Sequence, residues 1–348
     1  MTTLSRSDLL AALDAVKPAV ASRPSMPVLA CVLLARGSLS ATDLELTIRT
    51  PIDYPWDAPR LSIPHAALRD AVAGMRGADV TIVRDETSHV VITSGTARAR
   101  IPCFDADDYP SIAPPPDDAT WFDLDVRAIE QVAYAISDDA GRPNLCGVHV
   151  TATHAEATDG HRLARCPWVA PEDTDAIIPA IAIRAILRAV RGGPARMCIG
   201  ERRGTVDVGG TTIGMRLVEG TFPSVRGVIP TVEEDQRITI DRDRFRESVR
   251  AVGKFSTKKA QSLLVDVLAG FVTLRASDAD RGECSDEVTC SHTFDGATGA
   301  AYNWSYLDDV LGAISGDEVW MHIPGPMLPT AITSPTSGAL HVVMPLRR

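Results

Sequence analysis

The sequence repeats one set of landmarks three times, and this repeat limits the folds that the chain can adopt. A short acidic turn follows an apolar, strand-like stretch at three places: Thr42-Asp43-Leu44-Glu45, Thr158-Asp159-Gly160-His161 and Ser277-Asp278-Ala279-Asp280. The starts of these turns lie 116 and 119 residues apart. Because this step is far longer than the unit of a solenoid, we predict three similar domains rather than an array of small stacked repeats.

Two helical patterns recur in the same order within each repeat. The first leads the repeat, with apolar residues at three- and four-residue spacing, over Ser7 to Val16, Val126 to Ile136 and Arg242 to Val252. Acids near the starts of these stretches are typical of N-caps or first-turn positions, and they are Asp8, Asp125 and Asp241. The second pattern opens at Ile63-Pro64, Ile178-Pro179 and Tyr302-Asn303. The predicted fold class is α+β, with two helices and antiparallel sheets in each domain.

Two stretches that are typical of extended connectors separate the repeats. One is proline-rich and covers Ala113 to Pro116, and the other is acidic and covers Thr231 to Gln236. We therefore expect domains at residues 1–116, 117–236 and 237–348.

Composition excludes several classes of protein. The seven cysteines are scattered and contain no CxxC pair, so a structural zinc site and a disulfide framework are both poor explanations. No apolar run approaches the length of a membrane span, and the N-terminus lacks the charged-then-apolar order of a secretory signal. We expect a cytoplasmic protein with no cofactor and no membrane partner.

Positive charge is concentrated on helices, although the net charge of the chain is −10. The basic faces carry Arg184, Arg188 and Arg191 in the second repeat, Arg242, Arg246, Arg250 and Lys254 in the third, and, in weaker form, His65, Arg69 and Arg76 in the first. One such face is ordinarily a solvated helix surface. A basic face in every repeat instead favours a shared surface that contacts phosphates without reading bases. Asp308 and Asp309 interrupt this pattern on the last helix.

Several segments together resemble the bacterial DNA polymerase III beta subunit family, the sliding clamps. The segments are RPSMPVL at 23–29, FDADDYP at 104–110, ATDGHRLA at 157–164, LVEGTFPSVRGVIP at 217–230 and HVVMPLR at 341–347. The resemblance extends over essentially the whole chain, and its most specific part is the combination of ATDGHRLA with the C-terminal tail.

The resemblance implies three clamp domains per chain and a head-to-tail homodimeric ring of six domains, in which helices line the hole and sheets form the rim. A ring of this kind encircles duplex DNA regardless of base sequence, has no catalytic centre and tethers the replicative polymerase for processive synthesis. The implied partners are duplex DNA, the polymerase subunit, the clamp loader and other clients that bind through short linear peptides. Such a protein is cytoplasmic and associated with the nucleoid.

The resemblance also implies two sets of site residues. A peptide-binding groove on domain two, completed by the C-terminal tail, comprises Leu145, Thr158, Gly160, His161, Arg162, Leu163, Pro223, Val228, Val342, Val343, Met344, Pro345 and Leu346. Arg23 matches a DNA-contacting position, and Arg142 is a further candidate. With the basic helix faces, the DNA-binding set is Arg23, Arg69, Arg76, Arg142, Arg184, Arg188, Arg191, Arg242, Arg246, Arg250 and Lys254.

Two departures from the family pattern keep an alternative open. Gly227 stands where many members carry arginine, and this difference could alter the peptide preference. The loop Gly141-Arg142-Pro143-Asn144 lacks the tyrosines with which some members touch single-stranded template. The alternative is a clamp-like protein of a phage or mobile element with altered clients.

An alternative of another class is a metal-dependent hydrolase centred on Asp159 and His161. The acidic turn recurs at Asp43 and Asp278, however, and a structural turn explains this recurrence more simply than three copies of a catalytic site. The sequence also lacks GxSxG, a Walker-type glycine loop and HExxH. We therefore predict a turn role for the three aspartates and a hydrogen-bonded position for His161 in the wall of the groove.

Overall fold

The computed structural model describes residues 2–115, 120–190, 193–232, 236–268, 270–292 and 297–347. The chain divides into two compact units. The first unit contains residues 1–124 and 181–217, and the second unit contains residues 125–180 and 218–348. The second repeat therefore contributes to both units. The predicted domain limits at 116 and 236 stay predictions, and the first of them falls on residues outside the described ranges.

The described residues form strands, six α-helices and several short 3₁₀ helices. The strands are β1 (Thr2–Ser5), β2 (Cys31–Ala35), β3 (Ser38–Thr42), β4 (Leu46–Pro51), β5 (Leu61–Pro64), β6 (Asp79–Arg84), β7 (His89–Ser94), β8 (Ala97–Pro102), β9 (Phe122–Asp123), β10 (Gly147–Thr151), β11 (His154–Thr158), β12 (Arg162–Pro167), β13 (Asp175–Pro179), β14 (Ala195–Ile199), β15 (Arg203–Val208), β16 (Thr211–Arg216), β17 (Ile238–Asp241), β18 (Ser262–Leu268), β19 (Phe271–Asp278), β20 (Gly282–His292), β21 (Thr298–Asn303), β22 (Glu318–His322), β23 (Thr330–Ser334) and β24 (Ser337–Val343). The α-helices are α1 (Arg6–Val16), α2 (His65–Gly74), α3 (Val126–Val132), α4 (Ala180–Ala189), α5 (Arg242–Gly253) and α6 (Trp304–Ala313).

The helices confirm the repeat that the sequence predicts. Five of the helices follow a strand directly and α3 is separated from β9 by two residues, so that β1-α1, β9-α3 and β17-α5 lead the repeats, and β5-α2, β13-α4 and β21-α6 come later in them. The prediction for the second leading helix was too long, because α3 ends at Val132 and one turn of 3₁₀ helix follows over Ala133–Ala135. Asp125 and Asp241 are N-caps, whereas Asp8 is a first-turn acid and Ser5 caps α1.

The three acidic turns have one geometry, which confirms their predicted structural role. The carboxylate of Asp159 accepts hydrogen bonds from the backbone N–H groups of His161 (2.8 Å) and Arg162 (3.0 Å). Asp43 and Asp278 accept the equivalent bonds from the backbone two and three residues further along. An aspartate that binds its own following backbone in this way stabilises a tight turn between two strands.

Antiparallel pairing joins strands of different repeats within each unit. The first unit has a sheet of order β1-β6-β7-β8 and another of order β5-β2-β3-β4-β16-β15-β14-β9. In the latter, β4 of the first repeat pairs with β16 of the second and places Ile48 opposite Ile213, both of which are buried. Apolar burial at this seam stabilises the sheet across the repeat boundary.

The second unit has one continuous antiparallel sheet, of order β13-β10-β11-β12-β24-β23-β22-β17-β20-β19-β18-β21. The C-terminal strand β24 lies between β12 of the second repeat and β23 of the third. The core of the third repeat packs α5 and α6 against this sheet, with Phe245, Tyr302 and Leu311 fully buried. No helix in the described ranges is both long and apolar enough to span a membrane.

The glycine that ends α5 allows a close contact between helix and tryptophan. A Cβ added at Gly253 would lie 2.5 Å from Cγ of Trp304, whereas one added at Gly74, the last residue of α2, would meet nothing within 4 Å. Alanine ordinarily favours a helix over glycine by roughly 0.5–1 kcal/mol. Forcing extra volume into a packed contact costs about 1–3 kcal/mol, so the clash outweighs the helix preference at Gly253.

We therefore predict that Gly253→Ala lowers the urea midpoint of unfolding, and that the matched control Gly74→Ala leaves it unchanged or raises it. Urea titration followed by circular dichroism measures both variants. Equal midpoints for the two variants would show that the Trp304 contact does not constrain position 253.

Candidate functional site

Nine of the thirteen residues predicted for the groove line one open cavity in the second unit, which has a volume of about 520 Å³. They are Leu145, Thr158, Gly160, Arg162, Leu163, Pro223, Val228, Val342 and Met344. These residues come from three stretches that are distant in sequence, namely residues 145–163, 223–228 and 342–344. The fold therefore brings together most of the predicted set.

The floor of this groove is an apolar cluster. Its buried members are Leu145, Leu163, Ile177, Phe222, Val225 and Val342. The pairing of β12 with β24 places Leu163 opposite Val342 and so joins the tail strand to the ATDGHRLA segment. An apolar floor of this kind suits the aliphatic or aromatic anchors of an extended peptide.

Four further residues line the groove, and the sequence prediction had not placed them there: Arg142, Asn144, Ser224 and Val225. The side-chain amide of Asn144 donates a hydrogen bond to the carbonyl of Thr221 (2.9 Å) and so links the two loops that border the groove. Arg142 had been predicted to contact DNA. All four residues lie within three positions of a predicted groove residue, Leu145 or Pro223. This closeness in sequence is the signal that could have placed them in the groove.

Four predicted groove residues lie outside the cavity lining, and they are His161, Val343, Pro345 and Leu346. Assigning Val343 to the groove surface was wrong, because successive side chains of a strand point to opposite faces. Val342 belongs to the groove floor, and Val343 is fully buried in the core of the third repeat. The exposed His161 stacks on Tyr306, with 6.3 Å between ring centroids.

Backbone hydrogen bonds hold the tail in place beyond β24. The N–H of Met344 donates to the carbonyl of His161 (2.9 Å), and the N–H of Leu346 donates to the carbonyl of Ala301 (2.7 Å). His161 therefore positions the tail through its backbone rather than through its ring. Pro345 and Leu346 pass away from the cavity towards β21.

Arg162 forms a charged wall of the groove. Its guanidinium contacts the carboxylates of Asp159 (3.0 Å) and Asp309 (2.5 Å) and lies over the rings of Tyr306 and Tyr134. Burial alone would lower the pKa of Arg162, but its carboxylate partners raise it above the ordinary value. Fixed partners on two sides hold this long side chain in a single orientation.

Polar contacts fasten β24 to the segment that leads the second repeat. The hydroxyl of Tyr134 lies 2.9 Å from Nδ1 of His341, and Ser337 donates a hydrogen bond to the side chain of Gln131. Burial lowers the pKa of His341 to about 4, so the ring is neutral at ordinary pH. A neutral imidazole can share one proton with the tyrosine hydroxyl without placing a charge in the interior.

The basic residues predicted for DNA contact divide into exposed and paired side chains. Arg184 and Arg188 are exposed on α4, as are Arg23, Arg76 and Lys254 elsewhere, and Arg191 lies outside the described residues. On α5, Nε of Arg246 and Nε of Arg250 each lie 2.7 Å from the same oxygen of Asp308. Asp308 therefore neutralises part of the basic face that the sequence predicts for α5.

Other members of the DNA set also have partners. Arg69 pairs with Asp14 (2.8 Å), Arg142 pairs with Asp139 (2.9 Å), and Arg242 pairs with Asp243 (2.8 Å). Including His65 in a basic face was wrong, because its ring is buried and its Nε2 lies 3.0 Å from the carbonyl of Leu13.

The hydrolase alternative receives no support from this geometry. Asp159 is occupied by its turn and by Arg162, as described above. In the part of the chain that the structure describes, no group of three or more His, Cys, Asp or Glu side chains could hold a metal ion.

The chain matches three protein-family models in succession. They describe the N-terminal, central and C-terminal domains of the DNA polymerase III beta subunit and match residues 1–113, 123–224 and 226–347. The beta sliding clamp of Caulobacter vibrioides (strain NA1000 / CB15N) is 29% identical over 374 residues, with 99% of both chains covered. The beta sliding clamp of Escherichia coli (strain K12) is 27% identical, also over 99% of both chains.

Solved structures show the same relationship. The sliding clamp of Bartonella birtlesii superposes with a TM-score of 0.90 at 25% identity, and 99% of each chain is covered. The Caulobacter crescentus beta sliding clamp superposes with a TM-score of 0.89 at 28% identity, again over 99% of each chain. The chain therefore belongs to the DNA polymerase III beta subunit family, and it is a DNA sliding clamp, a non-catalytic processivity factor of DNA replication.

Proposed function

We propose that two copies of the chain join head to tail into a ring that encircles duplex DNA, with helices lining the hole. The observation that carries this proposal is the match of three consecutive clamp domains over nearly the whole chain. The ring tethers the replicative polymerase and acts in the cytoplasm at the nucleoid. The domains that we propose for each chain are residues 1–116, 117–236 and 237–348.

The basic helices contact phosphates weakly in this ring. Arg184 and Arg188 are exposed and available to phosphates, whereas Arg246 and Arg250 already share Asp308. A phosphate must compete with that carboxylate, so each contact on α5 gains little free energy. Weak contacts that do not depend on base sequence allow the ring to move along DNA, and encirclement keeps the ring on the DNA.

The groove binds the short linear peptides of the polymerase, the clamp loader and other clients. Its apolar floor would receive aliphatic or aromatic anchors, and the backbone at the rim would hold an extended peptide. Two relatives support a ligand-binding role, because the clamps of Bartonella birtlesii and Pseudomonas aeruginosa have structures bound to griselimycin. The Caulobacter crescentus clamp has a structure with PEG bound to its putative beta-motif tethering region.

A clamp of a phage or mobile element with altered clients is the second candidate. Gly227 favours it, because many family members carry arginine at this position and the fold does not require glycine there: a Cβ would meet nothing within 4 Å. A client peptide that lies beside Val228 therefore meets no positive charge from position 227.

Topological binding is the decisive test of the ring. Clamps loaded on a circular duplex should remain bound in high salt and should leave within minutes when a single-site nuclease linearises the circle, because they slide off the ends. Gel filtration of labelled protein with DNA before and after cleavage measures this retention. Retention that is unchanged by linearisation would contradict encirclement, and a nuclease-treated circle without the recognition site is the control.

A charge in the groove lining should weaken client binding. We predict that Val228→Asp weakens binding of griselimycin at least tenfold (about 1.4 kcal/mol), because ligand binding would desolvate the new carboxylate. The control is Val169→Asp, which introduces the same charge at an exposed valine of the second unit outside the groove. Fluorescence or calorimetric titration measures both, and equal affinities for the two variants would contradict the assignment of the groove.

Removing the partner of the α5 arginines should strengthen contact with DNA. We predict that Asp308→Asn steepens the slope of log affinity against log salt by up to about 2 for a short linear duplex, since two guanidinium groups become available to phosphates. Asp173→Asn is the control, because it removes the same charge from an exposed loop. Fluorescence anisotropy at several NaCl concentrations measures the slopes, and the same slope in both variants would exclude α5 from the DNA surface.

A further inference from the structure

A cluster of charged side chains lies beside the groove on strands β10 to β13. His149 lies at its centre, with Nδ1 3.0 Å from Oε1 of Glu156 and Nε2 2.8 Å from Oδ1 of Asp175. Arg165 contacts the second oxygen of Glu156 at 2.6 Å, and Nε2 of His154 lies 3.6 Å from Oε1 of the same carboxylate. Only 4% of the Glu156 side chain and 13% of the His149 side chain are exposed, so little water screens the contact between these two, whereas the Asp175 side chain is 83% exposed.

This geometry requires the protonated form of His149. A carboxylate only accepts hydrogen bonds, and a neutral imidazole has one N–H to donate. Contact with carboxylates at both ring nitrogens is therefore satisfied only by the imidazolium, which donates twice. Burial alone would lower the pKa of His149, but the hydrogen bonds to Glu156 and Asp175 outweigh it and raise the pKa above the ordinary value.

The ring of His149 also touches the groove through an aromatic contact. It stacks on Phe222, with 4.7 Å between ring centroids and 17° between ring planes. Phe222 is part of the groove floor with Leu145, Leu163 and Val342, and the three residues that follow it line the cavity. The position of the histidine ring therefore affects the position of Phe222 in the groove floor.

We propose that His149 is a positioning residue of the peptide groove, whose imidazolium, held between Glu156 and Asp175, keeps Phe222 and the segment after it in the binding-competent position. This inference rests on the proposed peptide-binding function. Loss of the proton removes one of the two hydrogen bonds that hold the ring between Glu156 and Asp175, so the ring is held less firmly and the stacking on Phe222 weakens. Client affinity then decreases as pH rises through the titration of His149.

The sign and size of the effect follow from this arrangement. A histidine whose pKa is raised by folding stabilises the fold most fully below its unfolded-state value, and the contribution is lost as pH rises through the folded-state value. Glu156, whose pKa folding lowers because the contacts with His149 and Arg165 outweigh burial, stays ionised throughout that window. An aromatic stacking contact is worth roughly 0.5–1.5 kcal/mol, so the expected loss of affinity is about two- to tenfold.

The experiment is a titration of griselimycin against the full chain at several pH values from about 6 to 9, with NMR of the histidine ring signals in the same buffers. The variants are His149→Gln and the control His154→Gln, which changes the same residue type in the same cluster, removes only the edge contact of His154 with the His149 ring (6.4 Å between centroids), and leaves both carboxylate partners of His149 and its stacking on Phe222 in place. We expect affinity to fall two- to tenfold with the His149 titration in wild type and in His154→Gln. His149→Gln should bind weakly at every pH, with a flat profile.

The outcomes separate the inference from the function on which it rests. Binding whose affinity stays constant while the NMR signal of His149 titrates would overturn the positioning role and leave the groove assignment intact. A pH profile in His149→Gln that equals that of wild type would overturn it as well. Absence of griselimycin binding at every pH in the folded wild-type protein would overturn the groove assignment itself.

Discussion

The pairing of β12 with β24 is the contact on which the functional surface depends. It places the C-terminal strand between the second and third repeats and sets Leu163 opposite Val342. Without this register, residues 157–163 and 342–344 would lie far apart, and the groove would lose one wall. Because neighbouring strands stay at a fixed spacing, the pairing sets the distance between the two segments that line the groove.

The same register explains why charge and apolar surface lie side by side. Strand alternation sends Val342 to the groove floor and Val343 into the core of the third repeat, so one strand stabilises two structures. Arg162 lies opposite Val343 in this ladder, at the end of β12. Its contacts with Asp309 and Tyr306 connect the groove wall to α6, and breaking that ion pair would leave a largely buried charge with only one of its two carboxylate partners, Asp159.

The sequence predicts the parts of this molecule that local patterns determine. The turns at Asp43, Asp159 and Asp278 and the starts of the six helices depend on a few neighbouring residues, and the structure agrees with them closely. The groove joins segments that are distant in sequence, and it was predicted only through the family resemblance, whereas individual contacts between distant residues were missed. The sequence marks Arg246 and Arg250 as a basic face, but their shared partner Asp308 lies more than fifty residues away. The contact of His149 with Phe222 likewise cannot be predicted from sequence, because it forms only when β10 packs against the segment that contains residue 222.

The paired and exposed arginines together account for how an acidic protein can hold DNA and still move. A chain of net charge −10 repels a polyanion at long range, so attraction must come from local groups. In the proposed ring, exposed side chains such as Arg184 and Arg188 supply it, whereas Asp308 reduces the contribution of α5 because phosphates must replace an existing ion pair. In the proposed ring, enclosure rather than affinity keeps the protein on DNA. A weaker phosphate contact by the basic residues then does not shorten the time that the ring stays on DNA. It also lowers the free-energy barrier to movement from one phosphate position to the next.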